Sequence, residues 1–270
     1  MRRVLLLLVI LALAGLGWCY AQARADPVVR RAAIAMPDWP AGAGPVRVLL
    51  WSDLHLVNAA TGPARLERIV ARANALRPDL VLIAGDLVGG HERDDARAAA
   101  EALPALGRLR APLGVVAVLG NHDHWTDAPL VRRALEGAGV AVLANKAVRR
   151  GPLAVGGLDD MVTGHAEFSR TFRVARRVGG ARLILSHTPD VAPFMPRGAP
   201  LLLAGHTHCG QIVLPVVGAP ATASRYGERY RCGLKREGTR AVVVTAGTGT
   251  SVLPLRFGAA PDLWLLTLGP

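Results

Sequence analysis

The sequence predicts an α/β fold, a sandwich built on a pair of mixed sheets. Two observations carry that reading. Short runs rich in Val, Leu and Ile alternate with segments of helical period, and strands then predominate toward the C-terminus. Several of those runs stop abruptly at Asp, Asn or His, and open α/β sheets place their ligands beyond such strand ends.

The elements follow in order. Val46 to Trp51 reads as the first buried strand, running into Ser52-Asp53-Leu54-His55. Pro63 to Leu76 has Leu66, Ile69, Val70, Ala73 and Leu76 on one helical face. Asp79 to Ala84 is a second strand ending in Gly85-Asp86, and Ala96 to Leu109 is helical, broken or kinked at Pro104. Gly114 to Leu119 is a third strand ending in Gly120-Asn121-His122-Asp123, followed by a helix from Ala128 to Glu136 stopped by Gly137 and Gly139. Val140 to Val148 and Leu153 to Gly156 read as shorter strands, and Ala166 to Val178 as a basic helix. Arg182 to Leu185 ends in Ser186-His187, and Leu201 to Ala204 ends in Gly205-His206-Thr207-His208. Arg225 to Gly238 is basic and loop-like, and Ala241 to Ala246 and Leu263 to Leu268 close the chain as strands. The 270 residues suit one sizeable domain, with no internal repeat.

Met1-Arg2-Arg3 precedes an apolar run from Val4 to Trp18, the charged-then-apolar order of a secretory signal. Ala23-Arg24-Ala25 offers a cleavage pattern before Asp26, and extension through Ala21 reaches the low end of a spanning length. Residues 1–25 are therefore read as a signal peptide or an uncleaved membrane anchor. With positive residues inside, the rest of the chain lies outside the cytoplasmic membrane. Residues 26–45, rich in Pro, Ala and Gly and without period, read as a linker to a domain spanning 46–270.

The formal charge is +12, mostly from arginine. It is compatible with an anionic membrane or nucleic acid as partner. No stretch interleaves aromatic with basic residues, and no helix-turn-helix or zinc-finger spacing occurs, so no specific nucleic-acid partner is expected. Cys19, Cys209 and Cys232 make neither a disulfide framework nor a CxxC metal site. A pair between Cys209 and Cys232 in an oxidising compartment is not implied by their spacing.

The chemistry sits at the strand ends: Asp53 and His55, Asp86, Asn121 and His122, His187, then His206 and His208. Asp and Asn are ordinary turn residues, but histidines are not. Two histidines two apart beyond an extended strand point the same way. Oxygen and nitrogen donors without thiolate suit Mn, Fe, Zn, Co or Ni better than Ca or Mg. With His122 left aside, the seven ligand candidates exceed the needs of one tetrahedral ion and suggest two divalent ions sharing a carboxylate. Paired ions clamp the attacking and leaving oxygens of a phosphoryl displacement. No G-x-S-x-G elbow or Walker A loop is present.

The set DLH (53–55), GD (85–86), GNHD (120–123), SH (186–187) and GHTH (205–208) resembles the calcineurin-like metallophosphoesterases, in the family order and over Val46 to Leu268. The hydrophobic N-terminus, the GHTH-x-GQ block and Pro-Leu-Arg-Phe (254–257) look most like the bacterial membrane-associated branch of YkuE-like and YaeI-like enzymes. The resemblance implies a four-layer α/β/β/α sandwich of two mixed sheets flanked by helices. It implies a hydrolase of phosphomonoester, phosphodiester or pyrophosphate bonds that uses a hydroxide held between two metal ions. Carried over residue by residue, Asp53, His55 and His208 hold the first ion, Asn121, His187 and His206 the second, and Asp86 bridges both. His122 then stands at the leaving oxygen, and Asp123 orients His122. Position 209 is usually glycine in this branch, so Cys209 is either a soft extra ligand or a buried filler. His124 is left out of the ligand set, and His91, His165 and the arginines of Arg225 to Arg236 are candidates for substrate contact. The implied partners are a phosphorylated small molecule or lipid, such as a UDP-linked acylated glucosamine, and the membrane through the N-terminal segment. The competing reading is a non-catalytic anchored module that binds anionic surfaces or nucleic acid.

Overall fold

The computed structural model describes residues 1–196 and 199–270. The apolar runs become β2 (Val46–Trp51), β3 (Leu80–Ala84), β4 (Val115–Val118), β7 (Leu153–Gly157), β8 (Ala181–Leu185), β9 (Leu201–Ala204), β11 (Arg240–Val244) and β12 (Asp262–Gly269). Such runs are nearly continuously apolar because both faces of each strand are covered. In β2, Val48 and Leu50 face one core, and Leu49 and Trp51 face another.

With β1 (Val28–Ala35), β5 (Ala141–Val142), β6 (Lys146–Arg150) and β10 (Gly233–Glu237), two six-stranded sheets result, in the orders β1-β12-β2-β3-β4-β5 and β10-β11-β9-β8-β7-β6. Both are mixed: β2, β3, β4 and β5 are parallel, and β12 runs antiparallel to β2. In the second sheet β7, β8, β9 and β11 are parallel, with antiparallel strands at both edges. The sheets face each other across a core in which Val48, Leu50, Leu82 and Val116 meet Val155, Leu183, Leu203 and Val243. Helices α2 (Pro63–Ala75), α3 (Arg93–Ala102) and α5 (Ala128–Gly137) cover the outer face of the first sheet through Leu66, Ile69, Ala99 and Leu135. Helix α6 (Phe168–Arg177) and the turn Pro189–Phe194 cover the second. This is the four-layer α/β/β/α sandwich. Each fully buried aliphatic side chain contributes about 1.5–3 kcal/mol to holding the layers together.

Local chemistry sets the helix limits. Pro63 stands at the first turn of α2, and Asp127 caps α5 by accepting from the Leu130 amide at 3.0 Å. Pro104 ends α3 and the chain continues as a 3₁₀ turn, Leu103–Arg108.

The structure departs from the expected elements in four places. Within the stretch read as a linker, Val28–Ala35 forms β1, paired in parallel with β12 along its whole length. Its side chains hide this, since only Ile34 is buried and Arg30 is held by Asp262 at 2.7 Å. The loop-like basic segment contains β10 (Gly233–Glu237), an edge strand that carries Lys235, Arg236 and Glu237, as edges commonly carry charge. The strand expected from Val140 splits into β5 (Ala141–Val142) in the first sheet and β6 (Lys146–Arg150) in the second, turning at Asn145 with φ of 54°. A short helix, α4 (Asn121–Thr126), follows β4 directly. The apolar N-terminus is one exposed helix, α1 (Arg2–Arg24), long and apolar enough to cross a membrane.

Candidate metal centre

The parallel strands of both sheets point their carboxyl ends at one rim, and the ligand candidates lie there. Asp53 and His55 follow β2, Asp86 follows β3, Asn121 opens α4 after β4, His187 follows β8, and His206 and His208 follow β9. Potential ligand atoms of Asp53, His55 and His208 lie within 4.8 Å of one another, as do those of Asp86, His187 and His206, and those of His55, Asp86 and His122. Asn121 Oδ1 is 3.0 Å from His187 Nε2. All seven proposed ligands and His122 are thus brought together.

The backbone does this at some strain. Asp53, His55, Asp86, His206 and His208 all have φ between 45° and 70°. Non-glycine residues in that region cost on the order of 1–3 kcal/mol each and collect at functional sites. The two histidines of the GHTH block therefore do not face the site as neighbours on an extended strand, since β9 stops at Ala204. The kinked turn sends His206 to His187, with Nδ1 3.0 Å from Nε2, and His208 to His55, with 3.1 Å between the Nε2 atoms. Thr207, between them, donates to the Arg231 carbonyl at 2.7 Å.

Glycines floor the centre because no side chain fits. A Cβ on Gly205 would strike Ser52 Oγ and Asp53 Oδ2, and one on Gly120 would lie 2.7 Å from the Asp86 amide nitrogen and 2.8 Å from the His187 ring. Polar straps tie the ligand loops to each other. The His206 amide donates to Asp53 Oδ2 at 3.0 Å, the His122 amide to Asp86 Oδ1 at 2.9 Å, and the His55 amide to the Asp86 carbonyl at 3.1 Å.

The donor set fits divalent cations. His187 Nδ1–H donates to the Ala84 carbonyl at 2.8 Å, which leaves Nε2 with its lone pair facing Asp86 Oδ2 at 3.2 Å, Asn121 Oδ1 and His206 Nδ1. His55 Nε2 similarly faces Asp86 Oδ2 at 3.5 Å and Asp53 Oδ1 at 3.9 Å, while its buried Nδ1 has no partner among the described residues. Converging acceptors of this kind are satisfied by a cation, and neutral imidazoles are the ligand form. Burial holds His55 down at about 3 and His206 at about 4, and His208 falls well below its usual value through burial and the neighbouring His55 and Arg256. Burial pushes Asp53 up to about 7, against the pull of His187. His187 moves the other way, up to about 10, because Asp86 and Asp53 outweigh its burial, and Asp86 is correspondingly held low. A proton on Nε2 does there what a metal ion between Asp86 and His187 would do.

His122 and Asp123 diverge. The His122 ring packs edge-on to His55, with centroids 4.7 Å apart, and its Nδ1 lies 3.0 Å from the Gly90 carbonyl. Asp123 does not orient that ring. Its carboxylate is occupied by the amides of Leu87, Val88 and Gly120 at 2.9, 3.1 and 2.9 Å, which knit the Asp86 loop to the start of α4. His91 and Trp125 stack with an interplanar angle of 22° and form an aromatic wall beside His122.

His124 leaves the centre, bonds Asp159 at 2.9 Å and stacks on His165. Burial opposes the charge on His124, but the Asp159 contact outweighs it and raises His124 above its ordinary value of 6.5, and Asp159 is held below 3.8. The stabilisation from His124 is fully present below its unfolded pKa and lost as pH rises through the raised folded value. That from Asp159 is present above its unfolded pKa and lost as pH falls through the depressed one. Asp159→Asn is therefore expected to destabilise by about 1–2 kcal/mol between pH about 4 and about 6.5, with a smaller difference at pH about 9. Urea melts of both proteins across pH check this.

Cys209 is neither a soft ligand nor a filler. It is disulfide-bonded to Cys232, 23 residues on, with Cα atoms 4.7 Å apart. The bridge fixes the turn after His208 to the start of β10, where Arg231 also donates to the Cys209 carbonyl at 2.7 Å. Sequence spacing carried no sign of it, since the contact depends on how the long 211–231 loop folds back. Closing a loop of this length is worth about 3 kcal/mol in the chain-entropy account, so Cys232→Ser should lower the unfolding free energy by roughly that amount.

Arg256, a lone arginine in the apolar stretch Val252 to Phe257, belongs to the site although it stands at no strand end. It is fully buried and lies behind His208, its Nη2 3.4 Å from His208 Nδ1.

The model of the calcineurin-like phosphoesterase family matches residues 46–210, which hold all five ligand blocks. The chain belongs to that family. It is a phosphoester hydrolase, and its relatives include bacterial metallophosphoesterases. It is 32% identical over 237 residues to the metallophosphoesterase YkuE of Bacillus subtilis (strain 168), covering 85% of this chain and 81% of that protein. It is 32% identical over 237 residues to the phosphodiesterase YaeI of Escherichia coli (strain K12), covering 84% and 83%. A transmembrane protein with a metallophosphoesterase domain from Danio rerio is 29% identical over 283 residues, covering 98% of this chain and 61% of that protein.

Proposed function

We propose that this phosphoesterase is a membrane-anchored, two-metal phosphodiesterase whose substrate carries an apolar group. The observation that supports the dinuclear reading is the pair of ligand groups, Asp53–His55–His208 and Asp86–His187–His206, with Asn121 beside the second and Asp86 between them. Bound there, two divalent cations would acidify a water and neutralise charge on the phosphoryl oxygens. The protein's own residues do the rest. Asp86 faces both groups, Ser52 and the His206 amide fix Asp53, and the Ala84 carbonyl fixes the tautomer of His187. His122 donates Nδ1–H to the Gly90 carbonyl and keeps Nε2 for the leaving oxygen, to which the doubly protonated ring would give a proton.

The substrate reading rests on a groove of ≈ 370 Å³ that begins at His208 and is walled by Ile212, Pro220, Ala221, Val252 and Leu253. Such a wall suits an acyl chain or another apolar substituent on the phosphorus. This points to a phosphorylated lipid. A UDP-linked acylated glucosamine belongs to the cytoplasm, and the disulfide argues for an oxidising compartment outside it. We therefore favour a lipid phosphoester without a nucleotide.

The anchor reading rests on the root of α1, which is built into the domain. Ala23 is fully buried, and the Ala25 carbonyl accepts from Arg65 at 2.9 Å. A segment held this way, cleavage pattern included, acts as an anchor rather than a discarded signal, with Arg2 and Arg3 on the cytoplasmic side.

Chelation is expected to remove hydrolysis of a chromogenic phosphodiester, and one of Mn, Fe, Zn, Co or Ni to restore it, with close to two metal ions per chain by elemental analysis. Full turnover in the metal-stripped protein would sink the proposal.

A further inference from the structure

The mouth of the metal centre lies against the root of α1. The Arg256 amide donates to the Cys19 carbonyl at 3.0 Å, and the Tyr20 hydroxyl donates to the Ala59 carbonyl at 3.1 Å. One of these partners is the residue packed behind His208. The other lies four residues beyond His55. The helix that could cross a membrane is thus bonded to the loops that frame the site.

Those loops expose side chains that water does not favour. Val252 is 94% exposed and Leu253 50%, while Val216 is fully exposed and Val217 73%. Leu253 is three residues from Arg256, so chain length keeps it within roughly 11 Å of the residue whose amide holds Cys19. The Val213 amide donates to the Phe257 carbonyl at 2.7 Å, and the turn carrying Val216 closes through Leu214 and Gly218. Both apolar tips therefore stand beside the same short stretch, 255–257, that holds α1.

The height of these tips follows from helix geometry. About 20 residues at 1.5 Å each span the ~30 Å hydrocarbon layer. Counted from Arg2–Arg3, that layer ends near Gln22, and Trp18 and Tyr20 fall where interfacial aromatics collect. Cys19 and Tyr20, the residues that grip the mouth, are at the same level. The apolar tips hang on the same stretch that holds α1, a helix whose own apolar side chains are exposed, and this selects a bilayer over a soluble partner.

We propose that the mouth of the site docks on the bilayer that α1 crosses, with Val216, Val217, Val252 and Leu253 set in its interfacial layer. The groove beside His208 then opens toward lipid, and substrate enters from the membrane surface. This rests on the reading of α1 as an anchor, and the experiment separates the two.

The full chain carrying Cys19→Ala is given a single added cysteine, Val252→Cys or Val216→Cys, with Glu136→Cys on α5 as the distant control. Each is labelled with an environment-sensitive fluorophore and reconstituted into phosphatidylcholine–phosphatidylglycerol vesicles. Labels at 252 and 216 are expected to shift to the blue and to lose intensity to phospholipids bearing a nitroxide high on the acyl chain. The label at 136 should do neither. Vesicle flotation reads the anchor separately. A chain that floats while its labels at 252 and 216 behave like the one at 136 keeps the anchor and overturns the docking. A blue shift without nitroxide quenching means contact with a second copy of the chain and also overturns it. A chain that does not float overturns both.

Discussion

Asp86→Ala is expected to abolish hydrolysis while leaving the fold intact. Asp86 faces both ligand groups, with Oδ2 3.5 Å from His55 Nε2 and 3.2 Å from His187 Nε2. Its other oxygen accepts from the His122 amide at 2.9 Å, which aims the candidate proton donor. Removing it takes away the shared carboxylate and leaves His187 facing His206 and Asn121, with only the weaker pull of Asp53 and Asp160. Metal ions supply several kcal/mol of charge stabilisation in a phosphoryl displacement, so the loss should be about 10³-fold or more in kcat. Elemental analysis should show fewer than two metal ions per chain, and circular dichroism should be unchanged. His206→Ala touches the second group alone, so it should lose metal and activity without disturbing the Asp53–His55–His208 group. Activity in Asp86→Ala within a few fold of the parent would remove the dinuclear reading.

The residues that the strand-end pattern nominated are the ones the fold gathers, and the reason is topological. A strand buried on both faces must be apolar throughout, so a polar residue at its carboxyl end is conspicuous in the sequence, and parallel order then brings those ends to one rim. What stayed hidden depended on long-range contacts instead. β1 lacks alternation because most of its side chains are unburied and its hold on β12 is through the backbone. Cys232 reaches Cys209 only because residues 211–231 loop back. Asp123 stands next to His122 in sequence, but the start of α4 turns its carboxylate toward the amides of Leu87 and Val88. The left-handed backbone at His206 and His208 has no signature in residue type, since a histidine there is held by its surroundings.

Arg256→Ala is expected to be the most destabilising single change outside the ligands. The guanidinium is fully buried and donates to the carbonyls of Gly249 at 2.7 Å, Ala246 at 2.6 Å and Ala259 at 3.0 Å, with Gly247 at 3.3 Å and His208 at 3.5 Å. These carbonyls belong to the turn after His208 and to the loop joining β11 to β12, neither of which has a regular ladder to satisfy them. Burial lowers Arg256 only to about 10, so it stays charged at neutral pH, its charge spread over backbone dipoles. Truncation strands those acceptors in a dry interior at about 1–3 kcal/mol each, and allowing for relaxation the net loss should be about 3–5 kcal/mol. Arg256→Lys should recover only part of this, because one ammonium cannot span a fan that wide. The His208 turn loses its backing in both variants, so metal affinity should fall with stability. The grip on Cys19 uses the backbone amide of residue 256 and should persist. Chemical denaturation and metal titration of the two variants measure these effects, and an Arg256→Ala protein within about 1 kcal/mol of the parent would show that water replaces the guanidinium and that the loop holds its shape alone.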